Sequence, residues 1–217
     1  MKNNRTALLA CIPALSFLVV APATVAFEYP LTDTAIRNAF LTGRETDGRN
    51  SQLFVKYVRD LPAPESGPYV ARIRLETPYE QVAKVGATAS NYRAQEAQQE
   101  FFGKRLPFRV SVEIQFTPTY PAYDISEPSG AYSLLQPLPD YQHDFQIDVS
   151  QENRIEPEYS RAYISSSYFS NTVWGIHGVV IEQEYDPDKI DSSDLTVEVH
   201  TPDGQDIVTT FNMAELQ

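Results

Sequence analysis

The residues after Pro107 alternate strictly between apolar and polar side chains. The apolar members occupy every second position: Phe108, Val110, Val112, Ile114 and Phe116. Because successive side chains of a strand point to opposite faces, this period of two predicts a strand with one face in a core. Such a strand must bury its apolar face against a second layer of structure.

Further strand patterns follow in the same part of the chain. They cover the ranges 145–149, 159–164, 173–184, 195–199 and 207–211. The last two are joined by Thr201-Pro202-Asp203-Gly204, whose residue types suit a β-hairpin turn. Because strands and helices do not alternate here, we expect an antiparallel, β-sandwich-like arrangement instead of a parallel doubly wound sheet.

The part before Pro107 is richer in helix patterns. Apolar spacing predicts helices over 31–42, 51–61, 78–84 and 90–102, with Gly43 and Gly103 as stops. Thr77-Pro78-Tyr79-Glu80 has the residue types of a capping box with proline at the first helical position. One half-buried strand is predicted between the second and third helices, in which the following residues form the apolar side: Tyr69, Ala71, Ile73 and Leu75.

These patterns define the expected fold and its organisation. We predict a mainly β (α+β) protein with a helical or mixed N-terminal region, 27–106, and a β-rich region, 107–217. The two regions form either two units or one continuous domain, 27–217.

The first 26 residues have the pattern of a bacterial secretory signal. Two cations, Lys2 and Arg5, precede an uncharged apolar stretch that ends in the small-residue sequence Thr24-Val25-Ala26. We therefore expect cleavage after Ala26, a secreted or periplasmic location and no membrane span after cleavage; the alternative is a retained anchor. The chain's one cysteine, Cys11, leaves with the signal, which excludes thiol catalysis and disulfides.

The charge balance excludes nucleic acid as a partner. The chain has 29 acidic and 17 basic residues, and its net charge falls from −12 to −14 when the signal is removed. A polyanion gains no counterion-release binding from such a surface, and no basic run offers a local exception.

Tyrosines are the most prominent candidate binding residues. The proline- and tyrosine-rich stretch 117–141 is predicted to be a long loop, which is often functional in compact domains. Flat amphipathic rings suit a protein interface or stacking on sugars, although they also pack well on sheets. The candidate surface consists of Tyr120, Tyr123, Tyr132, Tyr141, Tyr163, Tyr168 and Trp174.

An acidic run is the one candidate metal site. Asp186, Asp188, Asp191 and Asp194 are compensated only by Lys189, and oxygen-rich loops bind calcium. The run lacks the sixth-position glycine and the distal glutamate of a hand-type calcium loop, so a solvated acidic loop is the alternative. Calcium is the only cofactor that the sequence suggests.

No sequence motif of an enzyme is present. The three histidines share no metal-ligand spacing, and neither a G-x-S-x-G elbow nor a glycine-rich phosphate loop occurs. We expect a non-enzymatic interaction or assembly module of the bacterial envelope that binds a protein partner or itself. The alternative is a carbohydrate-binding module or a glycoside hydrolase that uses surface aromatics and carboxylates.

Overall fold

The computed structural model describes residues 27–46, 48–117, 144–170 and 173–216. Two antiparallel sheets and four short helices lie within them, so the fold is mixed α+β and mainly β, as predicted. The predicted signal and residues 118–141 of the predicted loop lie outside the described residues. In chain order the elements are α1 (Asp33–Arg44), α2 (Arg49–Lys56), β1 (Val58–Asp60), β2 (Pro68–Glu76), α3 (Pro78–Thr88), α4 (Ala94–Phe101), β3 (Phe108–Phe116), β4 (Gln146–Ser150), β5 (Arg154–Ile155), β6 (Tyr159–Ser170), β7 (Val173–Tyr185), β8 (Asp194–His200) and β9 (Asp206–Asn212).

The strands form two sheets in which every neighbouring pair is antiparallel. The larger sheet has the order β1-β2-β3-β7-β6, and the smaller has the order β5-β4-β8-β9. The turn between β8 and β9 falls at the predicted residues. Its Gly204 has a φ of 79°, a left-handed conformation that glycine adopts without steric cost.

One hydrophobic core is shared by the inner faces of the two sheets. Strand β3 alternates as predicted, with all five apolar side chains buried and the four polar side chains between them partly exposed. From the smaller sheet, Leu195, Val197 and Val199 of β8 enter the same cluster. The period of two therefore places a sandwich-like core where the sequence predicts it.

The helices form a second hydrophobic cluster. Ile36 and Phe40 of α1 pack with Val82 of α3 and Ala97 of α4. The predicted stop at Gly43 is wrong, because the residue lies inside α1. A Cβ on Gly43 would overlap the carbonyl oxygen of Ala83, and one on Gly86 would overlap that of Phe40. Glycine is needed here for close approach of two helix backbones.

The predicted second helix is also partly wrong. Helix α2 ends at Lys56, and the predicted helical residues Val58–Asp60 instead form strand β1 against β2. The backbone N–H of Leu61 donates to the carbonyl of Ala71, which continues this pairing. Tertiary pairing with β2 has overridden the helical spacing of the apolar residues.

The predicted inward face of β2 is half correct. Ile73 and Leu75 are buried, but Val70 is buried in place of Tyr69 and Ala71. A register shift between Val70 and Arg72 explains the difference, because one extra residue exchanges the two faces of a strand. After the shift the strand alternates as predicted, so that Arg72, Arg74 and Glu76 share the outer face of the larger sheet.

Candidate functional site

The outer face of the five-stranded sheet carries an ordered array of charged side chains, which we call the charged face. Strands β2, β3, β7 and β6 contribute one residue each to three rows of directly paired positions. In that order the rows are Glu76, Arg109, Glu184 and Tyr159; then Arg74, Ser111, Glu182 and Arg161; then Arg72, Glu113, Val180 and Tyr163.

Opposite charges meet along and between these rows. Arg109 bridges two strands, since its Nε lies 2.8 Å from Glu184 Oε1 and its Nη1 lies 3.1 Å from Glu76 Oε2. At the sheet edge, Arg161 donates from Nε to Glu182 Oε1 at 2.9 Å. Cross-strand pairs of opposite charge stabilise a sheet and fix its register. The charged face is therefore a surface on which cations and carboxylates from neighbouring strands are paired with one another.

Helix α3 adds two charged side chains to the charged face. The hydroxyl of Thr77 accepts from the backbone N–H of Glu80, which starts the helix as the capping pattern predicts. The Glu80 carboxylate, instead of closing the box, accepts from Arg74 Nη2 at 2.5 Å. Four residues later, Lys84 donates to Glu76 and lies 3.7 Å from Glu80.

Glu80 is fully buried under these cations. Its second oxygen, Oε2, and the Nε of Arg74 are both buried and have no hydrogen-bond partner. Unpaired buried polar atoms cost stability. Burial, which outweighs the nearby charges of Lys84 and Arg74, raises the pKa of Glu80.

The neighbouring Glu76 shifts in the opposite direction. Burial disfavours its ionised form, yet the hydrogen bonds and charges of Lys84 and Arg109 together outweigh burial and lower its pKa. Two carboxylates whose pKa values are pushed apart are typical of acid–base sites. However, Glu80 has no exposed surface with which to touch a substrate. The pair therefore contributes ion pairs that connect helix α3 to the charged face.

A groove opens in the middle of the charged face. Its cavity volume is about 250 Å³, enough for one side chain or one sugar ring. Ser111 and Val180, two of the uncharged row members, lie in it among charged neighbours, and Tyr163, 44% exposed, lines it from β6. The remaining lining residues are Arg72, Arg74, Glu76, Lys84, Glu113 and Glu182. A ligand in the groove would meet cations from β2 and α3 and carboxylates from β2, β3 and β7.

Only three of the seven residues of the predicted aromatic surface belong to the described part of the chain. Tyr163 and Tyr168 lie on β6 and Trp174 lies on β7, so three of the seven residues belong to one hairpin. Tyr120, Tyr123, Tyr132 and Tyr141 lie outside the described residues. Of the aromatics whose side chains are described, Tyr163 is the one that reaches the groove.

The predicted acidic run is spread along the chain between β7 and β8. Asp186 lies 2.8 Å from Arg105 and accepts from the backbone N–H of Asp188. Asp191 accepts from the backbone N–H of Ser193 and from Gln151, and Asp194 begins β8. The hydrogen bond from Arg105 lowers the pKa of Asp186, and those from Ser193 lower the pKa of Asp191. Calcium binding there stays a prediction.

A different group of metal-ligating side chains lies on the smaller sheet. Among the described residues, only Glu198, His200 and Asp206 place three such ligand atoms within 4.8 Å of one another. His200 Nδ1 lies 2.7 Å from Asp206 Oδ1, and this hydrogen bond is the main cause of the raised pKa of His200. All three side chains are at least partly exposed. Sequence reasoning did not join them because they come from two strands.

Apart from Glu182, which lies in the same acidic stretch of sequence as Asp186, the charged side chains of the groove were not singled out by sequence reasoning either. Their signal is present in the polar positions of the two alternating strands, Arg72, Arg74 and Glu76 on β2 and Glu113 on β3. The alternation of apolar and polar residues by itself predicts only that such side chains face solvent. Their pairing across strands, and the arrival of Glu80 and Lys84 from α3, depend on tertiary structure.

Comparison with other proteins adds no assignment. No known family model matches the chain, and no curated protein matches it. Within the described ranges, no helix combines the length and the apolar character needed to cross a membrane. The function must therefore be argued from the side chains of the charged face.

Proposed function

We propose that the protein is a secreted or periplasmic, non-enzymatic interaction module of the bacterial envelope that binds a partner through the charged face. The observation that carries the proposal is the groove, in which cations, carboxylates and an exposed tyrosine converge from four strands and a helix. The location rests on the signal pattern of residues 1–26.

The groove supports recognition of a protein segment with mixed charge. Arg72 and Lys84 are about half and one third exposed, and each already has a carboxylate partner. A partner with its own charged groups can replace the carboxylates that now pair with Arg72 and Lys84. Such an exchange contributes to the specificity and register of binding more than to its affinity. Tyr163 adds apolar area, as aromatic residues do at the centres of interfaces.

The charge balance supports the exclusion of nucleic acid from the proposal. A net charge of −12 opposes a polyanion at long range, and the cations of the charged face are paired with acids. A partner with both signs of charge meets neither obstacle.

The proposal is tested by affinity capture from an envelope fraction of the producing cell. The groove variant Arg72→Ala/Tyr163→Ala should lose at least tenfold of the captured partner, judged by quantitative mass spectrometry. The control Val208→Ala/Thr210→Ala removes exposed side chains from the smaller sheet and should retain wild-type capture. Equal capture by both variants would contradict the proposal.

One observation favours a second candidate, a carbohydrate-binding module. The exposed ring of Tyr163 beside Glu113, Glu182 and Arg72 is an arrangement of stacking face and hydrogen-bonding groups that suits a sugar. Glycan-array binding that disappears in Tyr163→Ala but survives in Tyr159→Ala would favour this candidate. A hydrolase is disfavoured because Glu80, the carboxyl of raised pKa, is inaccessible to substrate.

A further inference from the structure

Strand β6 lies at one edge of the five-stranded sheet. Among the described residues, β7 is its one strand neighbour, so one row of its backbone N–H and C=O groups faces away from the sheet. With 12 residues it is the longest edge strand, against 3 in β1, 2 in β5 and 7 in β9. Such an edge is a template for pairing with another strand.

Large aromatic or apolar side chains lie near this edge on both faces of the sheet. Tyr163 lies opposite Val180 on the charged face, and Ile164 lies opposite the core residue Val179. Ile164 is nevertheless 44% exposed, because the core ends at this strand. The pairing of β6 with β7 is regular from Tyr159 to Ile164 and becomes irregular at Ser166. The exposed apolar side chains therefore lie in or beside the straight part of the edge.

The lack of acidic residues in β6 favours a second copy of the chain as the partner of this edge. The strand contains no acidic residue, and its single cation, Arg161, is bound to Glu182. The whole chain carries −12, so two copies repel each other over most of their surface. At β6 they approach without placing acid against acid, whereas β9 begins with Asp206 and β1 ends with Asp60.

We propose that β6 pairs antiparallel with β6 of a second copy, which joins the two five-stranded sheets into one continuous sheet. The proposal goes beyond the interaction role proposed above, because it concerns the edge of the sheet and not the groove. A two-fold axis makes such an interface self-complementary, as in most homodimers.

The side chains select the position of the axis. In an antiparallel pair, residues directly opposite each other have their side chains on the same face of the sheet. The two-fold axis must therefore pass between the two copies of one residue of β6. An axis at Arg161 would place two guanidinium groups against each other. An axis at Ala162 instead places Arg161 opposite Tyr163 of the other copy. Within one chain the Arg161 guanidinium already lies 5.5 Å from the Tyr163 ring centroid. The axis at Ala162 therefore avoids repulsion and gains a cation–π contact.

Association is measured by sedimentation equilibrium of the mature protein over a range of concentrations. We expect a reversible dimer whose dissociation constant rises at least tenfold in Ile164→Lys, because a lysine on an edge strand opposes pairing. The matched control is Val208→Lys on the other long edge, β9, where the replaced side chain is 58% exposed. It should leave the dissociation constant within a factor of two.

Cross-linking tests the position of the axis with a milder substitution. In a Cys11→Ser background, Ala162→Cys places two thiols opposite each other across the axis at a Cβ separation of about 5 Å, close to disulfide geometry. Mild oxidation should cross-link this variant at least tenfold faster than Val208→Cys in the same background. Circular dichroism confirms that each variant is folded.

Three results would overturn the inference. They are a wild-type protein that stays monomeric at its highest soluble concentration, equal dissociation constants for the two lysine variants, and equal cross-linking rates for the two cysteine variants. Loss of envelope capture in the groove variant with an intact dimer would support the proposed function separately. If the dimer is intact but no partner is captured through the groove, the proposed function is contradicted and the β6 pairing is not.

Discussion

The two sheets share one core but have different outer faces and edges. The five-stranded sheet carries cations and acids in paired rows and receives Glu80 and Lys84 from α3. The four-stranded sheet carries hydroxyl and acidic side chains, with His200 held by Asp206. The strands of both sheets alternate between apolar and polar residues, and this shared pattern does not indicate which side chains meet on each outer face. The difference comes from the helical layer and from side chains that meet across strands.

The largest effect should come from the helix crossing that supports the charged face. Gly86→Val places a side chain against the backbone of Phe40 and should destabilise the protein by more than about 3 kcal/mol, since the helices cannot move apart without losing their core. Urea denaturation measures the change, with the exposed neighbour Ala87→Val as control. Hydrogen exchange should show α1 and α3 opening before β8. A difference below about 0.5 kcal/mol between the variants would contradict the close crossing.

Core substitutions test the point at which the two sheets are alike. Ile114→Ala in β3 and Leu195→Ala in β8 each empty a fully buried position of the shared core and should each cost about 2–5 kcal/mol. Chemical denaturation should show one transition for both variants. Separate transitions for the two sheets would show that the core is not shared.

A smaller effect distinguishes the two carboxylates beside Lys84. A raised folded pKa means that the contribution of Glu80 is greatest at low pH and is lost as the pH rises from about 4.5 through that pKa. The lowered pKa of Glu76 has the opposite effect, since its contribution is present above about 4.5 and is lost as the pH falls through the folded pKa.

Unfolding free energies measured against pH for the wild type, Glu80→Gln and Glu76→Gln test these signs. The stability of the wild type relative to Glu80→Gln should fall with rising pH, and that relative to Glu76→Gln should rise. Losses of packing that do not depend on the ionisation of the carboxyl group shift each curve but not its slope. Slopes of the same sign would refute the assignment.

The smallest effect belongs to the four-stranded sheet. Asp206→Asn removes the main cause of the raised His200 pKa and should lower that pKa towards 6.5, as followed by NMR titration. In the wild type the pair contributes stability below pH 6.5, and the contribution is lost as the pH rises through the folded pKa. Asp203→Asn in the adjacent turn is the control and should leave the His200 pKa unchanged. An unchanged His200 pKa in Asp206→Asn would contradict the contact.

The sandwich could be predicted from the sequence because its signal is local. The alternation from Phe108 to Phe116 and the turn at Gly204 each depend on a few consecutive residues. The face of β2 was half missed because one register shift at Val70 exchanges inside and outside without changing composition. The residues Val58–Asp60 were assigned to a helix because pairing with β2 cannot be read from their spacing.

The candidate site was less predictable for the same reason. Tyr163 was identified as a candidate from its residue type, but Arg72, Arg74 and Glu113 resemble any polar face of a strand. These residues form a site only when β2, β3 and β7 pair in the sheet and helix α3 places the buried Glu80 beside them. Gly43 was interpreted as a stop because close approach of two helices leaves no local pattern.

We expect two copies of the protein to associate through the five-stranded sheet, at β6, and not through the four-stranded one. Amide hydrogen exchange of the mature protein at low and high concentration tests this claim directly. The claim predicts slower exchange in the β6 range 159–164 at high concentration, with unchanged exchange in β9. Exchange in β6 that does not depend on concentration, or equal slowing in β9, would contradict it.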